Sequence, residues 1–254
     1  MPVTIESETR PEGRVVWLTM DNQARLNAIG KDMMTALCQA ALELAADETL
    51  RAVVITGAGD RAFCGGADIN ELTATTADTA RAFITALHET NAAIRDIPVP
   101  VIARVNGYCL GGALEIAASC DLRVAVDTAK FGMPEVRVGL PSVIEAALLP
   151  RLVGWGKAME LVLTGDMITA ETAQAVGLVQ RVVAADGLDD AVEGWLASIL
   201  ASGPLAVRTQ KALCREWESL PLDQAIQRGI DYFAKAYETD EPARLLAPYL
   251  RPKK

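Results

Sequence analysis

The chain has 254 residues, 51% of them apolar and 22% charged, which is enough to bury one large α/β core and too apolar for disorder. Its net charge of −9 argues against a general nucleic-acid or membrane-surface binder, because both need a basic field. Five cysteines without a C-x-x-C pair argue for buried thiols in a reducing compartment, and the one histidine, His88, leaves little for a metal site.

Met1-Pro2-Val3-Thr4 lacks a basic region followed by an apolar stretch, so no signal peptide is expected. No apolar run is long enough to span a bilayer, and the expectation is a cytoplasmic protein. Thr4–Glu8 and Arg14–Met20 read as strands joined at Pro11–Gly13. Lys31–Ala46 is helical, with Met34, Leu37, Ala41 and Leu44 at three- and four-residue steps. Ala52–Thr56 is a strand ending at Gly57-Ala58-Gly59-Asp60, and Thr79–Arg95 is an amphipathic helix carrying Phe83, Leu87 and, on its surface, His88. Val101–Val105 and Leu122–Val126 are strands flanking a helix over Ala113–Ser119. Ser142–Leu149 reads as helical, stopping before Pro150. Helices near Lys157–Leu163 and Ala170–Ala175 precede a strand at Leu178–Val183. The alternation predicts an α/β fold with parallel pairing. Residues 1–200 read as the core and 201–254 as a helical C-terminal module, ending in the basic cluster Arg251, Lys253 and Lys254.

Between Arg104 and Asp121 the chain carries one charged residue, Glu115, in a run of Ala, Leu, Ile and Gly. A carboxyl on so apolar a helix is either a general acid or base with a raised pKa, or a capping, paired or exposed group. Gly111-Gly112 just before it suits a helix N-terminus whose free N–H groups hold developing negative charge, or a close packing contact. A second glycine site, Phe63-Cys64-Gly65-Gly66-Ala67-Asp68-Ile69, offers another backbone donor. Glu135, in Phe131-Gly132-Met133-Pro134-Glu135, is a second carboxyl within reach of the same cleft, or a partner of Lys130 or Arg137. Gly57–Ala62 formally fits a dinucleotide pattern, but Phe63-Cys64-Gly65-Gly66 stands where that motif needs a helix.

Together these stretches resemble the crotonase, or enoyl-CoA hydratase/isomerase, superfamily, from about Arg14 to Leu213. The motifs carrying the resemblance are Ala62–Asp68, Val105–Glu115, Phe131–Glu135 and Gly177-Leu178-Val179. The resemblance implies a spiral of strand–strand–helix units with C-terminal helices used in a homotrimer or a dimer of trimers. It implies an acyl-CoA substrate and no separate cofactor or metal, coenzyme A being part of the substrate. Ala67 and Gly112 match the donors that grip the thioester oxygen, and Glu115 and Glu135 match the two glutamates of the hydratases. Arg25, Leu26 and Ala28, with Ala62, Asp68 and Ile69, match positions along the coenzyme A path.

Pro141-Ser142-Val143-Ile144-Glu145 departs from the family's Gly-rich turn and leaves Glu145 as a further lone carboxyl, lining the pocket or serving a structural cap or pair. Dienoyl-CoA isomerases carry an acidic residue where Val143 stands, and simple enoyl isomerases usually keep only the match to Glu135. The reaction expected is therefore hydration of a trans-2-enoyl-CoA to a 3-hydroxyacyl-CoA. The alternatives are another crotonase-type reaction, such as isomerisation or thioester hydrolysis, or a non-enzymatic RNA-binding relative.

Overall fold

The computed structural model describes residues 1–250; Arg251, Lys253 and Lys254 lie outside the described residues. In chain order, β1 (Val3–Arg10) and β2 (Gly13–Met20) lead to α1 (Lys31–Ala45), and β3 (Leu50–Gly57) and β4 (Ala62–Cys64) lead to α2 (Ile69–Ala74) and α3 (Ala77–Asp96). β5 (Val101–Val105) and β6 (Tyr108–Leu110) lead to α4 (Gly112–Ser119). β7 (Leu122–Val126) and β8 (Lys130–Gly132) lead, through 3-10 turns at Pro134–Val138 and Ile144–Leu148, to α5 (Leu149–Thr164). Then come β9 (Met167–Thr169), α6 (Ala170–Ala175), β10 (Arg181–Val183) and α7 (Leu188–Leu200). The C-terminal helices are α8 (Pro204–Trp217), α9 (Leu222–Ala236) and α10 (Glu241–Leu246).

The strands sort into two sheets, β1-β2-β3-β5-β7-β10 and β4-β6-β8-β9. The larger is parallel from β2 to β10, with the β1–β2 hairpin antiparallel at its edge. β4, β6 and β8 are parallel, and β9 returns antiparallel to β8. Each of β3, β5 and β7 passes its chain to the next strand of the smaller sheet and then to a helix, so each unit adds one step of a spiral. β3 is buried along its whole length, which is why Leu50–Gly57 reads as a nearly unbroken apolar run. Arg123 on β7 is buried and donates to the carbonyls of Ala117 (3.1 Å) and Cys120 (2.7 Å), at the C-terminal end of α4. That contact satisfies orphan helix carbonyls and ties α4 to the larger sheet.

Three expectations need correction. Pro150 opens α5 instead of ending a helix, because the first turn has no use for the missing N–H. The preceding turn is 3-10 over Ile144–Leu148 only. The strand expected at Leu178–Val183 shortens to Arg181–Val183, the residues that pair with Val124–Val126. Cys64, Cys109 and Cys120 are buried, but Cys38 is half-buried and Cys214 is exposed. Burial pushes the Cys64 and Cys120 thiols up to about 12, so neither is a nucleophile at neutral pH.

Candidate active site

The smaller sheet brings the two glycine sites together. β4 and β6 are parallel neighbours, so the residues that follow them, Gly65–Ala67 and Gly111-Gly112, emerge side by side. Ile29 forms a bridge to Ala67 by donating to Gly66 O (2.8 Å) and accepting from Asp68 N (2.9 Å). That pairing turns the Ala67 N–H away from Ile29. Gly112 is the first residue of α4, and its N–H has no place in the helix ladder. Neither N–H donates to an acceptor among the described residues.

The same two segments floor a cavity of about 220 Å³. Its walls are Ile69 and Leu72 of α2, Phe83, Ile84 and Leu87 of α3, and Leu140 and Val143 from the segment after Glu135. Its carboxyls are Glu115 and Glu135. Glu115 sits on the first turn of α4 and is only 4% exposed. Its Oε1 accepts from Ala146 N at 3.1 Å. Burial pushes the Glu115 carboxyl up to about 8; the Ala146 N–H opposes this, and Glu135 and Glu145 add to it. Glu135 lies on the Pro134–Val138 turn and accepts from Ser142 Oγ at 2.8 Å through its Oε2. It pairs with neither Lys130 nor Arg137; Arg137 instead reaches Asp166.

Gly111 separates the two carboxyls. Its backbone (φ 55, ψ −126) lies in a region open essentially to glycine. A Cβ there would stand 2.4 Å from Glu135 Oε1. Gly111→Ala is therefore expected to destabilise the fold by about 1–3 kcal/mol from backbone strain alone, while displacing the Glu135 carboxyl. A thermal melt checks this, and an unchanged midpoint contradicts it.

The residues matched to the coenzyme A path are more scattered. Of the six, Ile69 lines the cavity. Leu26 and Ala62 border a shallow depression with Gln23, Asn27 and Gly59, where Asn27 Nδ2 donates to Ala62 O at 2.9 Å. Ala28 and Asp68 border another hollow with Asp21, Asp32 and Glu71, an acidic setting unsuited to phosphate. Arg25 is bound to Asp68 at 2.6 Å, and Asp68 also caps α2 by accepting from Asn70 N. The Arg25 guanidinium holds the Asp68 carboxyl below its ordinary value.

Sequence reasoning passed over four site features. Ser142 and the Ala146 N–H each hold one of the cavity's two carboxyls, and Phe83 and Leu87 were legible only as a helix's apolar face. Leu87 Cδ2 would stand 3.0 Å from a Cβ on Gly112, so α3 walls the site directly. Glu145 is buried behind the cavity, where it accepts from Asn91 Nδ2 (3.0 Å) and lies 2.8 Å from His88 Nδ1. Among the described residues, no cluster of three His, Cys, Asp or Glu is placed to hold a metal ion. No helix there is long and apolar enough to cross a membrane.

Comparison with known proteins places the fold in a family. The family model described as enoyl-CoA hydratase/isomerase matches residues 10–250. A crotonyl-CoA hydratase of Syntrophomonas wolfei is 35% identical over 244 residues, covering 96% of this chain and 94% of that protein. The enoyl-CoA hydratase structure from Bacillus anthracis superposes with a TM-score of 0.93 at 27% identity, covering 98% of this chain and 96% of the other. The enoyl-CoA hydratase structure from Mycobacterium smegmatis gives 0.91 at 32% identity, covering 98% of each chain. The spiral α/β architecture with its helical C-terminal region is shared with these structures. The chain belongs to the enoyl-CoA hydratase/isomerase family.

Proposed function

We propose that this protein adds water across the 2,3 double bond of a short trans-2-enoyl-CoA. The observation that supports this reading is the placement of two carboxyls on either side of Gly111-Gly112 in one apolar cavity, beside two unused backbone N–H groups. The thioester oxygen accepts from Ala67 N–H and Gly112 N–H, so the charge of the enolate falls on fixed donors. Glu115 takes a proton from water as the water oxygen bonds to C3. Glu135 then delivers a proton to C2, where the C1=C2 π electrons of the enolate form the new C–H bond and the oxygen lone pair restores the thioester carbonyl. The pair starts and ends with one proton, moved from Glu135 to Glu115.

Burial raises the Glu115 carboxyl to about 8, which favours its protonated form in the free protein. This is the product side of the hydration step, so each hydration cycle begins after the proton has passed back to Glu135. By reversibility the resting form is set for dehydration of a 3-hydroxyacyl-CoA. With coenzyme A part of the substrate, the step so written uses no separate cofactor. The cavity's modest volume favours a short acyl chain, and the S. wolfei relative, a crotonyl-CoA hydratase, is named for a substrate of that class.

Assembly belongs to the same reading. α9 and its capping residue Tyr237 present Leu222, Ile226, Ile230, Phe233 and Tyr237 as one exposed apolar stripe. Such a stripe marks a contact surface, and it supports a homotrimer, or a dimer of trimers, built through the 201–254 module. Sedimentation of the native protein measures the assembly state.

The alkaline behaviour follows from the shared proton. The pair loses its last proton near pH 8, and a doubly ionised pair has none to give C2. Hydration kcat/KM is expected to fall about tenfold per pH unit above that point; a flat profile to pH 10 would contradict the assignment. The reaction itself is tested by incubating a short trans-2-enoyl-CoA in deuterium oxide and analysing the product. Hydration leaves deuterium at C2 and a hydroxyl at C3. Isomerisation moves the double bond and adds no oxygen, and that outcome would replace this reading.

A further inference from the structure

We propose that Glu145 is a positioning residue, which braces the Ser142–Ala146 turn against α3 and so fixes the two donors that hold Glu115 and Glu135. The rate readout below rests on the hydratase reading; the titration readout does not.

The turn's two ends serve the two carboxyls. At one end Ser142 Oγ donates to Glu135 Oε2 (2.8 Å), and at the other Ala146 N–H donates to Glu115 Oε1 (3.1 Å). Between them stands Ile144 at φ 41, a left-handed conformation that a β-branched residue adopts only under constraint. Strain of this kind persists where the surroundings over-determine it. The constraint is visible one residue on. Glu145 is buried, and it sends its carboxyl away from the cavity toward His88 Nδ1 (2.8 Å) and Asn91 Nδ2 (3.0 Å).

His88 and Asn91 are three residues apart on α3 and so share a face. The same helix supplies Phe83, Ile84 and Leu87 to the cavity wall. α3 therefore sets the wall and, through Glu145, the turn that orients the carboxyls. Asn91 keeps its amide nitrogen on Glu145 even though its Oδ1 is buried without a partner. A buried carboxyl and an unpaired amide oxygen are both costly. Neither is explained by packing, since an apolar residue at 145 would fill the space. Both are explained if the turn must be held against its own strain. The ionisable neighbours acting on Glu115 are Glu135 and Glu145, from the two turns that follow β8.

Two variants separate the brace from the charge. Glu145→Gln removes the charge but can still accept from Asn91 and donate to His88 Nδ1. Glu145→Ala removes both charge and brace. The test measures the Glu115 titration by carboxyl-carbon NMR, together with kcat and KM for a short trans-2-enoyl-CoA. With the charge absent from both variants, the Glu115 midpoint is expected at higher pH in Glu145→Ala, which has lost the Ala146 N–H contact. Its kcat is expected to fall about 10- to 100-fold from misplacement of the carboxyls, with KM changed far less. Glu145→Gln is expected to restore most of kcat. If Glu145→Ala does not fold, His88→Ala removes one brace contact at a side chain that is 54% exposed. It is then expected to lower kcat by a smaller factor at unchanged KM. Coincident midpoints in Glu145→Gln and Glu145→Ala, or native kcat in the folded alanine variants, would overturn the proposal. Should the native protein hydrate no enoyl-CoA, the hydratase reading fails and the midpoint comparison alone decides the brace.

Discussion

Glu115→Gln is expected to lower kcat for hydration by about 100- to 10,000-fold, the range general acid–base catalysis supplies. The glutamine keeps the shape and still accepts from Ala146 N–H, but it cannot take a proton from water. The same substitution is expected to raise thermal stability near pH 8. Glu115 titrates at about 8 in the folded chain against an ordinary value of 4.5. Folding therefore takes up a proton between those values, and the contribution of Glu115 to stability falls as the pH rises through that window. Glutamine has no such loss, so the gap between variant and native midpoints widens from pH 5 to pH 8. Slower turnover with a higher midpoint is the signature of a carboxyl buried for function at the expense of stability. A variant that loses both activity and stability would instead mark Glu115 as a structural group.

Gly112→Pro is expected to lower kcat by at least about 100-fold, because it deletes one of two donors to the enolate oxygen and sets the ring Cδ in the place of that hydrogen. The position suits this test. Gly112 is the first residue of α4, where proline is tolerated because its missing N–H is not part of the ladder. The added Cβ would meet Leu87 Cδ2 at 3.0 Å, the movable end of a side chain, and Ile29 Cδ1 at 3.8 Å. The fold should therefore survive while the donor is lost, which circular dichroism and a melt would establish alongside the kinetics. Native turnover in a folded Gly112→Pro protein would remove the Gly112 N–H from the mechanism.

The sequence carried some of this architecture clearly and some of it not at all. Long periodic segments such as Lys31–Ala45 and the buried run of β3 declare themselves, because their apolar pattern is set by the face they bury. β4, β6 and β8 have three residues each, too few to show alternation, and they exist because parallel neighbours pair with them. Those short strands are what set the two glycine sites side by side. Glu135, with Lys130 and Arg137 close in sequence, was legible only as a second carboxyl able to reach the same cleft, whereas Glu115 stood out as a carboxyl in an apolar run completed by Gly111-Gly112. Glu145 stood out as Glu115 did, as a lone carboxyl in an apolar stretch, yet its partners His88 and Asn91 lie more than fifty residues upstream, and that contact depends on helix packing. The Ala146 N–H was invisible because no glycine stands beside it to mark a backbone donor, as glycines do at Gly65-Gly66 and Gly111-Gly112. For the coenzyme A path the resemblance named six residues, and the structure ties Arg25 to Asp68 and places Ala28 beside acidic groups.

The central claim is that two carboxyls sharing one proton hydrate an enoyl thioester held by backbone donors. It is tested most directly by following the ultraviolet absorbance of a short trans-2-enoyl-CoA with the native protein, Glu115→Gln and Glu135→Gln. The account predicts steady loss of the conjugated thioester signal with the native protein and near-complete suppression in either variant. Persistence of the signal with folded native protein, or its loss at the native rate in either variant, would contradict it.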